Sequence, residues 1–134
     1  MYLADTNIFI RFLTNDDPKK SAEVRDQLLK VKNKESEVTT TEGVLIEIVQ
    51  VLNSKVLYNL TRNDIRKRLT PILLLEKLKL ENKNIYLLAL DYFVEYNIDF
   101  TDCILAAKSK NFDGVYSYDK DFDKIECVAR VESL

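Results

Sequence analysis

Met1-Tyr2-Leu3-Ala4-Asp5-Thr6-Asn7 is an apolar run that stops abruptly at an aspartate. Polar Thr6 and Asn7 follow, then Ile8, Phe9, Phe12 and Leu13 at helical spacing, so the stretch reads as a short buried strand over 2–4 handing over to a turn of helix. Asn15-Asp16-Asp17-Pro18 starts a second helix, with proline in its first turn. Ala22, Val24, Arg25, Leu28, Leu29 and Val31 carry an imperfect helical stripe from there to about Lys34. Glu37-Val38-Thr39-Thr40 is a β-branched run suited to a strand, and Thr41 caps a helix running from about Glu42 to about Asn53. Thr61-Arg62-Asn63-Asp64 resembles a capping arrangement for the next helix, which Pro71 should interrupt or kink. Residues 84–97 form a further helical segment, and 98–100 lead into a helix capped by Thr101. Gly114-Val115-Tyr116-Ser117 and Cys127-Val128-Ala129-Arg130-Val131 read as the last strands. Strands alternating with helices predict an α/β fold whose central, mainly parallel sheet is covered on both faces.

The 134 residues, 46% of them apolar, suit a single domain spanning 1–134, and no repeat, low-complexity tract or Gly/Ser/Pro linker divides them. No charged leader precedes a signal-like run, and every apolar run falls short of the roughly 20 residues that span a bilayer. The expectation is a soluble, cytoplasmic protein without membrane attachment. Cys103 and Cys127 lack C-x-x-C spacing and lie in apolar contexts, which predicts two buried thiols rather than a zinc site or a disulfide scaffold. Twenty Lys and Arg against 22 Asp and Glu give a formal charge of −2, which does not announce a nucleic-acid binder. Basic residues nevertheless cluster at Lys19, Lys20 and Arg25, at Arg62, Arg66, Lys67 and Arg68, and at Lys108 and Lys110.

Acids recur where strands or loops give way to helices: Asp5, Glu47, Asp102, and Asp119 with Asp121. In open parallel α/β sheets, ligands bind beyond the carboxyl ends of the strands. Asp5 ends the first strand, Asp119 follows a late strand by two residues, Asp102 sits in a first helical turn, and Glu47 lies about one and a half turns into its helix. Such positions allow all four to face one sheet edge. Singly, each has a plainer reading. Asp5 reads equally as a helix cap, and Thr6 and Asn7 either hold a loop or orient Asp5. Glu47 interrupts an apolar helix, yet Gly43, Glu47, Gln50 and Ser54 also form a narrow solvent-facing strip. Asp99 competes with Asp102, and Asp121 competes with Asp119. Glu42, in a first turn, complements the helix dipole and stands outside the set.

Together the acids point to a metal. Two unit charges about 4 Å apart repel by roughly 4 kcal/mol at an effective dielectric near 20, so clustered carboxylates need a counter-charge. With no histidine in the chain and no suitable cysteine pair, oxygen-only ligands favour Mg²⁺ or Mn²⁺. A site of that kind activates water and clamps a phosphodiester.

The ordered set Leu3-Ala4-Asp5-Thr6-Asn7, Glu47 within Val44–Leu52, Asp102 before Cys103-Ile104-Leu105-Ala106-Ala107, and Ser117-Tyr118-Asp119-Lys120-Asp121-Phe122 resembles the PIN-domain ribonucleases, in particular the VapC toxins of toxin–antitoxin pairs. Each motif is short; their order over residues 2 to 126 is what is specific. The resemblance implies a three-layer α/β/α sandwich, Mg²⁺ or Mn²⁺ dependence and endonucleolytic cleavage of RNA. It implies that Asp5, Glu47, Asp102 and Asp119 form an acidic quartet, that Asp121 is an additional acid, and that Thr6, Asn7 and Ser117 are polar neighbours of the metal. It further implies a homodimer restrained by a VapB-like antitoxin. Arg11 matches a position that is often basic in the family.

Other readings predict different residues. A haloacid-dehalogenase-type phosphatase would place a second Asp where Asn7 stands, and a receiver domain would pair acids after the first strand. A non-catalytic binding module, or a PIN nuclease of RNA processing without an antitoxin, would keep the same acids. Tyr58, Tyr86, Tyr92 and Tyr96 read as core and surface aromatics rather than as stacking platforms for RNA bases.

Overall fold

The computed structural model describes residues 1–134. The elements run β1 (Tyr2–Leu3), α1 (Thr6–Thr14), α2 (Pro18–Lys32), β2 (Val38–Thr39), α3 (Glu42–Asn53), α4 (Arg62–Leu73), β3 (Leu78–Lys79), α5 (Lys83–Tyr96), α6 (Phe100–Lys108), β4 (Val115–Tyr116) and β5 (Arg130–Val131). Short 3₁₀ turns occupy Ser109–Asn111 and Lys120–Lys124. Six helices and wholly parallel strand pairing give the α/β, PIN-like fold that the alternating pattern predicts. The chain divides into two compact units, Met1–Glu81 and Asn82–Leu134.

In the first unit β2 is central, with Tyr2 opposite Val38 and Leu3 opposite Thr39 on one side, and Val38 opposite Leu78 and Thr39 opposite Lys79 on the other. Threonines lengthen this brief ladder. Thr40 Oγ1 donates to the Ala4 carbonyl at 2.9 Å, and Thr39 Oγ1 donates to the Lys79 carbonyl at 2.6 Å. The strand over 2–4 was expected to be buried, yet Tyr2 is 81% and Leu3 74% exposed. Within its sheet β1 is an edge strand, hydrogen-bonded on one side only. Strand β3 has no counterpart among the expected strands, because Glu76-Lys77-Leu78-Lys79-Leu80-Glu81 is dominated by charge. Its alternation is nonetheless that of a strand, with Leu78 buried and Lys79 exposed.

Helix α1 packs on α2 and α3, and α3 packs on α4. Phe9, Ile10 and Leu13 of α1, Leu45, Ile48, Val49 and Leu52 of α3, and Ile65, Leu69, Ile72 and Leu73 of α4 make the core. Helix α2 buries only part of the expected stripe: Leu28 and Val31 are buried, joined by Ser21, while Ala22, Arg25 and Leu29 are exposed. The fully buried Ser21 hydroxyl donates to the Arg11 carbonyl at 2.6 Å, which satisfies a polar atom in the close α1–α2 contact. Asp17, Thr41 and Thr61 cap α2, α3 and α4 through bonds from the Lys20, Val44 and Asp64 amides. Pro71 falls near the end of α4, which stops at Leu73.

In the second unit α5 packs on α6. Phe93 meets Phe100 edge-on, with ring centroids 5.7 Å apart, over buried Leu90, Cys103, Ala106, Ala107, Phe122 and Ile125. The cap of α6 is Asp99 rather than Thr101, which lies one residue inside the helix. Cys103 is buried as expected. Cys127 is exposed, its Sγ 3.1 Å from the Tyr92 hydroxyl, because it precedes β5 rather than belonging to it. Strands β4 and β5 pair in parallel, Val115 with Arg130 and Tyr116 with Val131.

The two glycines have opposite roles. A Cβ on Gly114 would lie 2.3 Å from the Ala129 carbonyl oxygen, so the approach of β4 to β5 requires glycine. A Cβ on Gly43, in the first turn of α3, would meet only Thr41 Oγ1 at 3.8 Å. Urea unfolding should therefore find Gly43→Ala more stable than the parent by about 0.5–1 kcal/mol and Gly114→Ala less stable by about 1–3 kcal/mol.

Candidate active site

In the first unit the expected residues meet around one buried threonine. Asp5 has extended backbone and caps α1, its Oδ1 accepting from the Thr6 amide at 2.7 Å. Thr6 is 4% exposed, and its hydroxyl donates to Glu47 Oε2 at 2.7 Å across 41 residues of sequence. Thr6 thus holds both acids, one through its amide and the other through its side chain. The cap and ligand readings of Asp5 are compatible in this geometry, since capping fixes the carboxylate without neutralising it. Glu47, Gly43 and Gln50 are exposed, so the solvent-facing strip on α3 is real and Glu47 lies on it. Asn7 is exposed in the first turn of α1.

Arg11 is engaged elsewhere. Its Nη1 lies 3.0 Å from Asp16 Oδ1, and the Tyr58 hydroxyl donates to the same carboxylate. That bond from Tyr58 is the chief influence holding Asp16 below its ordinary pKa, and it raises that of Tyr58. The motif reading gave no sign of this link, because Asp16 and Tyr58 are 42 residues apart.

In the second unit Asp102 is half-buried in the first turn of α6. Its pKa is raised, first by burial and then by the negative charges of Asp119, Asp99 and Asp121. Ser117 Oγ accepts from the Asp119 amide at 3.0 Å, and Asp119 Oδ1 accepts from the Asp121 amide at 2.9 Å, so the loop after β4 is a chain of side-chain-to-backbone bonds. Asp121 also pairs with Lys124 at 2.8 Å. Asp119 has no cationic partner, which distinguishes it from its competitor.

None of Asp5, Glu47, Asp102 and Asp119 takes part in an ion pair, although 20 Lys and Arg are present. The donors to Asp5, Glu47 and Asp119 are backbone amides and the Thr6 hydroxyl, which orient the carboxylates without neutralising them. Oxygen donors of this kind suit a hard divalent cation. Within neither unit do three acidic or thiol side chains gather closely enough to hold an ion.

Two features of the second unit escaped the motif reading. Arg130, on β5, binds Ser117 and Asp123; a lone arginine in an apolar strand carries no motif signal. Tyr116 and Tyr118 are 55% and 73% exposed, with ring centroids 6.3 Å apart beside the acidic loop. Their alternation with Ser117 and Asp119 was the available clue. Of the tyrosines considered from sequence, Tyr86 and Tyr92 are buried, Tyr96 leans on Tyr92 at 5.7 Å, and Tyr58 is tied to Asp16.

The Asp102 environment yields a stability test. A carboxyl whose folded pKa is raised contributes stability that is fully present below its unfolded value and is lost as pH rises through the folded value. Ionised Asp102 is therefore a cost at neutral pH. Asp102→Asn should melt at a higher temperature than the parent at pH 7, and the gap should shrink as the pH approaches 4. A gap that stays constant with pH would contradict this electrostatic account.

The sequence matches the PIN domain family over residues 2–126. PIN domains are generally nucleases that use divalent metal ions. No curated protein matches the chain. The match begins at the first strand, ends just beyond the acidic loop and takes in every acid considered above, so the chain belongs to the PIN domain family.

Proposed function

We propose that this PIN domain is a Mg²⁺- or Mn²⁺-dependent endoribonuclease and the toxin component of a VapBC-type pair. The observation that carries the reading is that Asp5, Glu47 and Asp119 are oriented by amide and hydroxyl donors and, like Asp102, are unpaired with any cation, within the stretch that matches the PIN domain family.

The proposed ligands are those four acids, with Asp121 as an additional one. A bound divalent cation supplies Lewis acidity toward water and toward the phosphodiester. The residues do the positioning. Thr6 fixes the Glu47 carboxylate through its hydroxyl and Asp5 through its amide. Ser117 fixes the Asp119 backbone, while Asp119 in turn holds the amide of Asp121. Asn7 adds an exposed amide to the first turn of α1. The raised pKa of Asp102 gives protons and cations a common target, so metal-dependent cleavage should weaken on acidification. With no histidine in the chain, carboxylates take the place of an imidazole acid–base pair.

A partner of antitoxin type has support in the first unit. A largely apolar groove of about 470 Å³ is lined by Phe12, Leu28, Leu29, Pro71, Ile72 and Leu75 together with Arg25, Asp26 and Lys32. Apolar walls with a few charged residues among them suit the apolar face of an amphipathic segment. Homodimerisation and a cytoplasmic setting belong to the same proposal; no helix is long and apolar enough to cross a membrane.

Purified protein incubated with RNA and Mn²⁺ or Mg²⁺ should cleave it, and excess chelator should abolish cleavage. Asp5→Asn should lower the rate by at least about tenfold, the scale seen when metal-site partners are removed. Glu42→Gln, an acid of α3 outside the proposed set, should cleave like the parent. Equal cleavage by Asp5→Asn and parent would overturn the metal assignment. Parent protein that neither cleaves RNA nor binds millimolar Mn²⁺ in calorimetry would indicate a binding module.

A further inference from the structure

Arg130 is the most heavily bonded side chain of the second unit. Its guanidinium is largely enclosed, with the side chain 13% exposed. Nε and Nη2 donate to Asp123 Oδ1 and Oδ2 at 2.9 and 3.2 Å, a two-pronged clamp on the carboxylate. Nη1 donates to the Ser117 carbonyl at 3.0 Å and to Glu132 at 2.7 Å. One cation on β5 therefore grips both ends of the segment 117–123.

Between those ends lie Asp119 and Asp121. At the first grip point, the same Ser117 whose carbonyl Arg130 holds receives the Asp119 amide on its hydroxyl. At the second, Asp123 follows Asp121 by two residues inside the 3₁₀ turn Lys120–Lys124. Strand pairing alone reaches only the start of this loop, through Ser117 N–H to the Val131 carbonyl at 3.0 Å. Beyond it the backbone crosses exposed Tyr118, Asp119 and Lys120 before Phe122 is buried. Exposed loops of this kind hold a ligand geometry only when something fixes both ends.

We propose that Arg130 is a positioning residue: by clamping the Ser117 carbonyl and the Asp123 carboxylate it sets the loop that presents Asp119 and Asp121 to a divalent cation. The inference rests on the nuclease reading for the cation and on geometry alone for the clamp. Its charge is already matched by Asp123 and Glu132, which suits a scaffold role better than phosphate binding. Partners that orient metal ligands without touching the ion typically change metal affinity by 10–100-fold when removed.

The test compares parent, Arg130→Met, Arg130→Lys and Asp123→Asn in the full chain, with far-UV circular dichroism as the folding control. Amide hydrogen exchange without metal reads the clamp directly. Arg130→Met should speed exchange at Asp119 and Asp121 by about tenfold or more and leave the amides of α5 unchanged, with Asp123→Asn intermediate. Mn²⁺ titration reads the consequence: half-saturation should rise about 10–100-fold in Arg130→Met, with Arg130→Lys between that variant and the parent, because lysine keeps the charge without the fork. If Arg130→Met does not fold, Asp123→Asn carries both readouts. Unchanged exchange at Asp119 and Asp121, or faster exchange with unchanged Mn²⁺ half-saturation, would overturn the proposal. A parent that binds no Mn²⁺ but shows the exchange pattern would refute the nuclease reading and the ligand role of the loop, and leave the clamp standing.

Discussion

Carboxylates left without cationic partners are the constraint from which the rest of this molecule's candidate chemistry follows. Asp5, Glu47, Asp102 and Asp119 are oriented by amides, a hydroxyl and helix-start geometry, while the nearby cations are spent on other acids: Lys124 on Asp121, Arg130 on Asp123 and Glu132, Arg11 on Asp16. An arginine on any of the four would stabilise the fold and lower that acid's pKa, but it would also cancel the charge a metal needs. Asp102 shows a cost: its pKa is raised, first by burial and then by the charges of Asp119, Asp99 and Asp121. Stability and function pull in opposite directions at such a residue.

Two small polar residues carry much of the ordering. Thr6 is buried, so its hydroxyl needs a partner, and Glu47 is the partner it finds; the bond ties the start of α1 to the middle of α3. Ser117 plays the corresponding part in the second unit, accepting from the Asp119 amide with its hydroxyl and from Arg130 with its carbonyl. In both places a single residue orients an acid and fixes backbone. That economy suits strands of only two residues, whose ladders are too brief to position loops unaided.

Much of this was legible in the sequence, for definite reasons. Helix starts were readable because Asp17, Thr41 and Thr61 cap by local bonds that need no tertiary context. The family was readable because its four short motifs keep their order from 2 to 126. Less accessible were features set by burial or by long-range contact. On α2 the stripe found Leu28 and Val31, but the burial of Ser21 depends on its meeting the Arg11 carbonyl, which no periodicity encodes. Strand β3 was hidden among charges, and Cys127 looked like a strand residue although it stands outside β5. At the candidate site, residue types and positions singled out the acids, whereas Thr6 and Ser117 were named only as polar neighbours. Arg130 was named only as a strand residue, because its role exists only once β5 lies beside β4.

The most direct test of the account is the chemistry of the ends it leaves. Carboxylates that serve a metal-activated water, in a chain without histidine, predict that RNA cleaved in Mn²⁺ carries 3′-hydroxyl and 5′-phosphate termini, readable by mass spectrometry of the fragments. Fragments ending in 2′,3′-cyclic phosphate with 5′-hydroxyl partners would mean attack by the ribose 2′-hydroxyl, and would contradict it.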